Sequence, residues 1–417
     1  MKKLLMLSYY FPPIGMGGTQ RAAKFAKYLP EFGWEPTVIT VKPIAYWAQD
    51  ESLLDELHAV RIIRTESFDP QRLMAKYRSS KREITGVKKN GGFVSTLNEF
   101  VIPFFLLPDS KILWKHHALK TIDELLIHEK FDALYTTSPP HSVQLIGKKL
   151  AKKYGLKWVA DFRDSWAGGV VVHEPTFFQR WMNRKMQSHV LRAADAVLTV
   201  TKSLKEEFEQ ESKYVHYIPN GFDPADFPSA EGGQKEKFVF CHCGSITKFS
   251  QPEGLLRALS ELKTQQPEVY KKIFFRFVGH DSLCNFSALV EKYNVQDAVE
   301  YLGYKTHREA LRYLVNADAL LLIALGKPGD HFIPGKTFEY LGASKPVLAL
   351  TNIVDTKSLL EKFAHVFILD PENQNAIIET IEKIIHFRAR ETKNDVQKYN
   401  RKLQTKQLAE ILDGLVT

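Results

Sequence analysis

The chain has 417 residues, more than one hydrophobic core usually serves, so two domains are expected. Its 44% hydrophobic and 25% charged residues are ordinary for a water-soluble globular protein, and no run reaches the roughly 18 apolar residues of a membrane span. The formal charge of +9 is unevenly placed, and three cysteines, Cys241, Cys243 and Cys284, are too few for a disulfide framework.

The opening MKKLLMLSYYFPP has too short an apolar run for a signal peptide and lacks a small-residue cleavage site. It reads as a first buried strand, which places the protein in the cytoplasm. Strand 3–8 runs into Gly15, Gly17, Gly18 and Arg21, after which Ala22, Ala23, Phe25, Ala26, Tyr28 and Leu29 recur at helical spacing. A strand, a glycine-rich loop and a helix let backbone approach an anionic ligand, with Arg21 able to pair with it. The loop is neither the GxGxxG dinucleotide fingerprint nor a P-loop. A second strand is predicted over 34–41, then a short helix and a strand within 51–64.

Arg72, Lys76, Arg78, Lys81, Arg82, Lys88 and Lys89 stand together with one acid, Glu83, just before the aromatic and apolar segment 91–110. A basic stretch beside an apolar one over 72–108 suits an anionic membrane surface or a lipid phosphate. No nucleic-acid motif or aromatic platform accompanies it, so nucleic acid is not expected. A helix follows over 111–130, then a strand over 131–137 that ends at Ser138-Pro139-Pro140-His141. Helix 143–154 leads to strand 157–160, which ends in Asp161-Phe162-Arg163-Asp164-Ser165-Trp166. Ligands bind at the carboxyl ends of strands in open α/β sheets, so Asp161, Arg163 and Asp164 are catalytic candidates and His141 a weaker one. Helix 177–191, strand 196–200, helix 203–210 and strand 214–218 close this half. The Pro-, Gly- and charge-rich stretch 225–237 is the best candidate linker.

The α/β rhythm then restarts. Strand 238–243 contains Cys241-His242-Cys243, whose alternation in an apolar strand reads as core rather than as metal ligands, and it runs into Gly244, Ser245 and Lys248. Helix 252–263, strand 273–278 ending at Gly279-His280, helix 287–293, strand 299–302, helix 307–316 and strand 319–323 follow. In HFIPGKTFEYLGASKPVLAL, 331–350, a Pro334-Gly335 turn starts a helix carrying Lys336 and Glu339, and 347–350 is a buried strand. Free N–H groups and a lysine suit phosphate, and a carboxylate one turn on suits a sugar or ribose diol. A strand at 367–368, a helix over 375–387 and an amphipathic helix over 399–415 end the series. Two tandem α/β units predict two facing doubly wound Rossmann-like domains with a cleft between them.

YYFPPIGMGGTQR, TSPPHS, VADFRDSW, IPNGFD, CGSITKF, FRFVGH and FIPGKTFEYLGASKPVLAL, in this order, resemble the retaining, nucleotide-sugar-dependent glycosyltransferases of family 4, which have the GT-B architecture. The resemblance spans essentially the whole chain. It implies an acceptor-binding domain over 1–221 with the helix 399–417 packed back on it, and a donor-binding domain over 222–398. It implies an enzyme that moves a sugar, with retention and without metal or other cofactor, from a UDP- or GDP-sugar to a glycan or lipid-linked acceptor in surface polysaccharide or glycolipid synthesis.

By the same resemblance, Gly17 and Gly18 would face the donor phosphates or the acceptor, Gly244, Ser245, Lys248, His280, Pro334, Gly335, Lys336 and Glu339 the donor, and Arg21 and His141 the acceptor. Glu339 matches the second glutamate of the family's Glu–seven residues–Glu motif. His331 stands where the first would be, with Asp330 beside it as a substitute contact to the sugar. Arg163-Asp164 stands where the family has His-Asp. These departures keep a non-catalytic sugar-nucleotide-binding protein in play; a sugar-nucleotide epimerase of the same fold is the other alternative, and the basic and apolar 72–108 region argues against it.

Overall fold

A computed structural model describes residues 1–15, 17–45, 48–80, 106–166, 176–232, 235–327, 330–387 and 396–417. The chain forms two compact units, Met1–Pro219 with Arg401–Thr417, and Asn220–Asn400.

Among the described residues, seven strands build the first unit: β1 (Lys2–Leu7), β2 (Trp34–Val41), β3 (Arg61–Thr65), β4 (Ala133–Ser138), β5 (Lys157–Phe162), β6 (Ala196–Thr199) and β7 (Val215–Tyr217). They form one parallel sheet in the order β3-β2-β1-β4-β5-β6-β7. Its helices are α1 (Gly17–Tyr28), α2 (Ser52–Asp55), α3 (Pro70–Ser80), α4 (Lys115–His128), α5 (Ser142–Tyr154), α6 (Phe177–Leu191) and α7 (Lys202–Glu209). Strand side chains alternate between faces, and both faces are apolar: Leu5 and Leu7 join a core with Ile146 and Leu150 of α5, while Leu4 and Met6 join one with Phe25 of α1. Thr176 and Thr201 cap α6 and α7 by accepting from the N–H groups of Gln179 and Leu204. Helix α3 covers part of the basic stretch that the sequence alone left without structure. Arg72 on it is held by Glu66, Nε to Oε2 3.0 Å, and residues 81–105 of the expected membrane-facing region lie outside the described residues.

The second unit repeats the plan. Its strands are β8 (Phe238–Cys243), β9 (Ile273–Val278), β10 (Val299–Tyr301), β11 (Ala319–Ala324), β12 (Val347–Thr351) and β13 (Val366–Leu369), parallel in the order β10-β9-β8-β11-β12-β13. Helices α8 (Glu253–Gln265), α9 (Pro267–Tyr270), α10 (Phe286–Lys292), α11 (His307–Asn316), α12 (Lys336–Ala343), α13 (Val354–Leu360) and α14 (Gln374–His386) cover it. Phe240 and Phe275 pack on α8 and α14, and Cys241 and Cys243 on α11 and α12. The two thiols are free, with sulfurs 3.6 Å apart, and both are packed in the core.

The last helix, α15 (Arg401–Val416), follows the second unit in sequence but belongs to the first, where Leu408, Ala409 and Leu412 are buried beside Phe25 and Leu29. Each buried leucine contributes roughly 1.5–3 kcal/mol, so the helix is a structural part of that core.

In both sheets the strand order reverses beside the first strand, between β1 and β4 and between β8 and β11. Crevices at the carboxyl ends of such strand pairs are where open α/β sheets take ligands.

Candidate active site

Helix α12 starts in the loop that leaves the carboxyl end of β11, so its first residues stand at the second unit's switch point. Gly335 precedes it and offers no side-chain cap. The N–H groups of Gly335 and Lys336 have no acceptor among the described residues, which leaves two donors and the positive end of the helix dipole unanswered. Thr337 Oγ1, in the same turn, is buried and also has no partner among the described residues.

Lys336 lies across the end of β8. Its Nζ is 3.0 Å from His242 Nε2, and a Cβ on Gly244 would come within 3.1 Å of its Cδ. Gly244 is therefore needed twice: its φ of 141° belongs to the left-handed region that glycine tolerates, and the lysine occupies the space of a side chain. His242 Nδ1 is 3.0 Å from the carbonyl of Leu321, an acceptor only. Nδ1 must therefore carry the proton, and Nε2 presents a lone pair to the ammonium. Burial, and then the Lys336 charge, push the His242 imidazolium well below its ordinary range, so the ring stays neutral. Burial also lowers the Lys336 ammonium to about 7, with Cys243 and Glu339 opposing the shift.

Glu339, one turn along α12, meets the first residue of α11: its Oε1 is 2.9 Å from His307 Nε2. Tyr340 OH accepts from the Cys243 N–H at 2.8 Å and so ties α12 to the end of β8. Gly244 and Ser245 form the β8 turn, and the Ile246 N–H donates to the His280 carbonyl at 2.9 Å, which joins that turn to the end of β9. Lys248 is exposed, its Nζ 4.8 Å from the Phe249 ring centroid. Asp330 closes its own turn by accepting from the Lys327 N–H at 2.8 Å, and His331, 47% exposed, holds its Nδ1 3.7 Å from Asp355 Oδ1 at the start of α13. The expected donor residues of this unit thus gather on the loops after β8, β9 and β11, with Pro334 and Gly335 forming the turn under Lys336.

The first unit places its expected residues differently. Arg21 and Asp161, expected at the acceptor and as a catalytic group, close on one another in the core. Arg21 Nη2 is 2.9 Å from Asp161 Oδ1 and Nε 3.0 Å from Oδ2, while Tyr135 and Thr137 hydroxyls donate to Oδ2 at 2.7 and 2.8 Å. Neither side chain is more than 1% exposed. Burial opposes the Arg21 charge, and the attraction of Asp161 more than restores it. This carboxylate is satisfied by the protein and has no face left for a substrate.

Arg163 spans the crevice end of the sheet. Its guanidinium donates to the carbonyls of Ser138, Pro139 and Gly18, so it holds the β4 end to the first turn of α1. A Cβ on Gly18 would sit 3.2 Å from Arg163 Nη1, whereas one on Gly17 would meet nothing within 4 Å. Asp164 makes no hydrogen bond with any described residue; burial pushes its carboxyl up, and Arg163 only partly opposes this. His141 is 2% exposed and stacks on Trp166, with centroids 5.3 Å apart and planes 6° apart. Burial, then the charge of Arg163, drive it down to about 3, and neither ring nitrogen has a partner among the described residues.

Sequence reasoning missed His242, His307 and Tyr340. His242 was read as packing between two cysteines, and the signal available was its place two residues before the glycine turn, on the strand face opposite the sulfurs.

Two family models together cover nearly the whole chain: a glycosyl transferase 4-like domain matches residues 16–221, and glycosyl transferases group 1 matches residues 225–403. The chain belongs to the group 1 glycosyltransferases. Its fold is GT-B. A sucrose-phosphate synthase from Thermosynechococcus elongatus has 15% identity and a TM-score of 0.60, covering 100% of this chain and 96% of that one. WaaG, a glycosyltransferase involved in lipopolysaccharide biosynthesis, has 14% identity and a TM-score of 0.55, with 99% and 97% covered. A UDP-GlcNAc 2-epimerase from Methanocaldococcus jannaschii has 12% identity and a TM-score of 0.57, with 99% and 100% covered. At such identities these structures show the fold alone, and the epimerase shares it with the transferases. The family models are what make this transferase a transferase. No curated protein sequence matches the chain.

Proposed function

We propose that this transferase moves a sugar, with retention, from a nucleoside diphosphosugar to a glycan or lipid-linked acceptor, and that the donor diphosphate sits on Lys336 and the first turn of α12. The observation that carries this reading is the lysine itself. It lies at the switch point, aligned by His242 and backed by two N–H groups without acceptors. Departure of a nucleoside diphosphate builds negative charge on phosphate oxygens, and fixed cations and N–H dipoles aimed there lower the barrier. Lys336, the α12 N-terminus and, further out, Lys248 supply that charge from the protein, so the reaction as proposed needs no metal. Glu339, fixed by His307, is placed for the ribose diol of a UDP- or GDP-sugar. Ser245 and His280 border the same turn, and Asp330 and His331 are assigned to the transferred sugar.

In the first unit we assign Asp164 to orient the acceptor hydroxyl, because it is the carboxylate at the β5 end that the described residues leave without a hydrogen bond. Arg163 positions the first turn of α1, which bears Gly17 and Gly18. Asp161, Arg21 and His141 are read as the frame behind them. Retention without a protein nucleophile then follows if the acceptor attacks on the face the diphosphate leaves, and the phosphate takes the hydroxyl proton. The setting is the cytoplasm, in surface polysaccharide or glycolipid synthesis.

A thermal-shift screen with UDP, GDP and their sugars identifies the donor, since a ligand of the folded state raises the melting temperature with concentration over affinity. Lys336→Ala should then lose about 100- to 1000-fold in turnover and most of the ligand-induced shift. Unchanged turnover and shift in that variant would remove the diphosphate from this site.

A further inference from the structure

Over its first three turns helix α6 is built inside out. The face it buries there carries Gln179, Asn183 and Gln187, before Val190 and Leu191 join the apolar core, and the amides of Asn183 and Gln187 bond Trp166: Asn183 Oδ1 is 3.3 Å from Trp166 Nε1, and Gln187 Oε1 is 3.0 Å from the Trp166 N–H. Its outer face carries Phe177 at 84% exposure, Phe178 at 54% and Trp181 at 41%. A helix that turns amides inward and its largest aromatic rings outward runs against the usual amphipathic pattern, and an exposed apolar patch of this kind marks a contact surface.

The charges around the rings say what covers them. Arg184 and Lys185 follow Trp181 at i+3 and i+4, both exposed, and Lys185 Nζ lies 3.9 Å from the Trp181 ring centroid. None of the 15 residues of the helix is acidic. Phe178 and Trp181 pack against each other with centroids 6.0 Å apart, so the rings form one patch at the start of the helix and the cations one patch after it. Aromatic rings favour the headgroup level of a bilayer, and lysine and arginine beside them reach lipid phosphates. A protein partner would need a matching acidic rim around an aromatic pocket. A bilayer surface with anionic lipid supplies both needs without a shaped site. Among the described residues no helix is long and apolar enough to cross a membrane, so the contact would be one of lying on the surface.

We propose that the outer face of α6 docks the protein on an anionic membrane surface, with Phe177, Phe178 and Trp181 entering the headgroup zone and Arg184 and Lys185 on the phosphates. This does not depend on the donor assignment. It is a second surface besides the expected one at 72–108, of which residues 81–105 lie outside the described residues.

The test is flotation of the full chain with vesicles of phosphatidylcholine, with and without phosphatidylglycerol. The wild type should float with the anionic vesicles and hardly with the neutral ones. Phe177→Ser, Phe178→Ser and Trp181→Ser together should weaken that binding at least about tenfold, and Arg184→Glu with Lys185→Glu should do the same. These positions are solvent-facing, so both variants should keep the wild-type circular dichroism and melting temperature. For any variant that does not, Lys185→Glu alone is the substitute. The proposal fails if the wild type does not float, if both variants float as it does, or if neutral vesicles bind equally. It also fails if the aromatic variant's only change is loss of a dimer or of a protein complex, for then a second copy or a protein partner covers the face.

Discussion

Lys336 combines two demands that oppose each other. It must be charged to hold a diphosphate, and its setting costs it charge, since burial brings it down to about 7. In the free protein at a pH above about 7 the lysine is largely neutral, so binding a nucleotide sugar must also bind a proton. The affinity should therefore fall as pH rises from about 7 to about 9, by up to about tenfold per unit, and level off below about 6. A nucleotide sugar is the right probe because its diphosphate does not titrate in this range. Lys336→Arg should flatten the curve, and a wild-type affinity that ignores pH would mean the lysine does not contact the phosphates. The lysine was legible in the sequence from the Pro-Gly turn before it. Its partner was not: His242 is 94 residues away, and only the placing of β8 beside β11 brings them together. The same holds for Asp161, which reads as an open carboxylate at a strand end. Arg21, 140 residues earlier, occupies it. Arg21→Ala leaves that carboxylate buried without its cation and should cost about 3–5 kcal/mol in urea unfolding, while Arg21→Met with Asp161→Leu should recover much of the loss. If the double variant is as unstable as the single one, the pair is more than a frame.

At the level of elements, periodicity located the strands and most of the helices but missed α3, α9 and α13. The strands described in the second unit lie where apolar runs predict them, because a parallel sheet covered on both faces needs continuous apolar strands. Helix α13, seven residues of mixed polarity, has too few turns to show a period, and α3 was hidden by its charge. Packing between elements was not legible at all. Gly147 on α5 looks like an ordinary weak point in a helix, where alanine would gain about 1 kcal/mol of propensity. In the fold a Cβ there would lie 2.7 Å from Thr136 Cγ2 and 2.9 Å from Trp158, two buried side chains already bonded to each other at 2.8 Å. Overpacking costs about 1–3 kcal/mol and outweighs the propensity gain. Gly147→Ala should therefore lower the melting temperature; an increase would show that α5 can lift from the sheet at no cost.

For the whole molecule, the restart of the α/β rhythm after residue 237 was enough to predict two Rossmann-like units. That the final helix belongs to the first unit is not a property of its own sequence, since an amphipathic helix can cover either sheet. The family resemblance supplied that expectation. Removing residues 401–417 should destabilise the first unit and leave the second nearly untouched, since Leu408 and Leu412 each fill space worth about 2–5 kcal/mol. Hydrogen exchange resolved by peptide would show it, with protection lost in β1 and α1 and kept in β8 to β12. Uniform loss in both units would contradict the division. The returning helix also has a consequence during synthesis. A ribosome makes residues 1–219 and then must add all of 220–400 before α15 emerges, a delay on the order of tens of seconds at roughly 5–20 residues per second. Throughout that interval the nascent first unit shows Phe25, Leu29 and Trp34 to solvent without their cover, a ready substrate for chaperones that bind emerging chains.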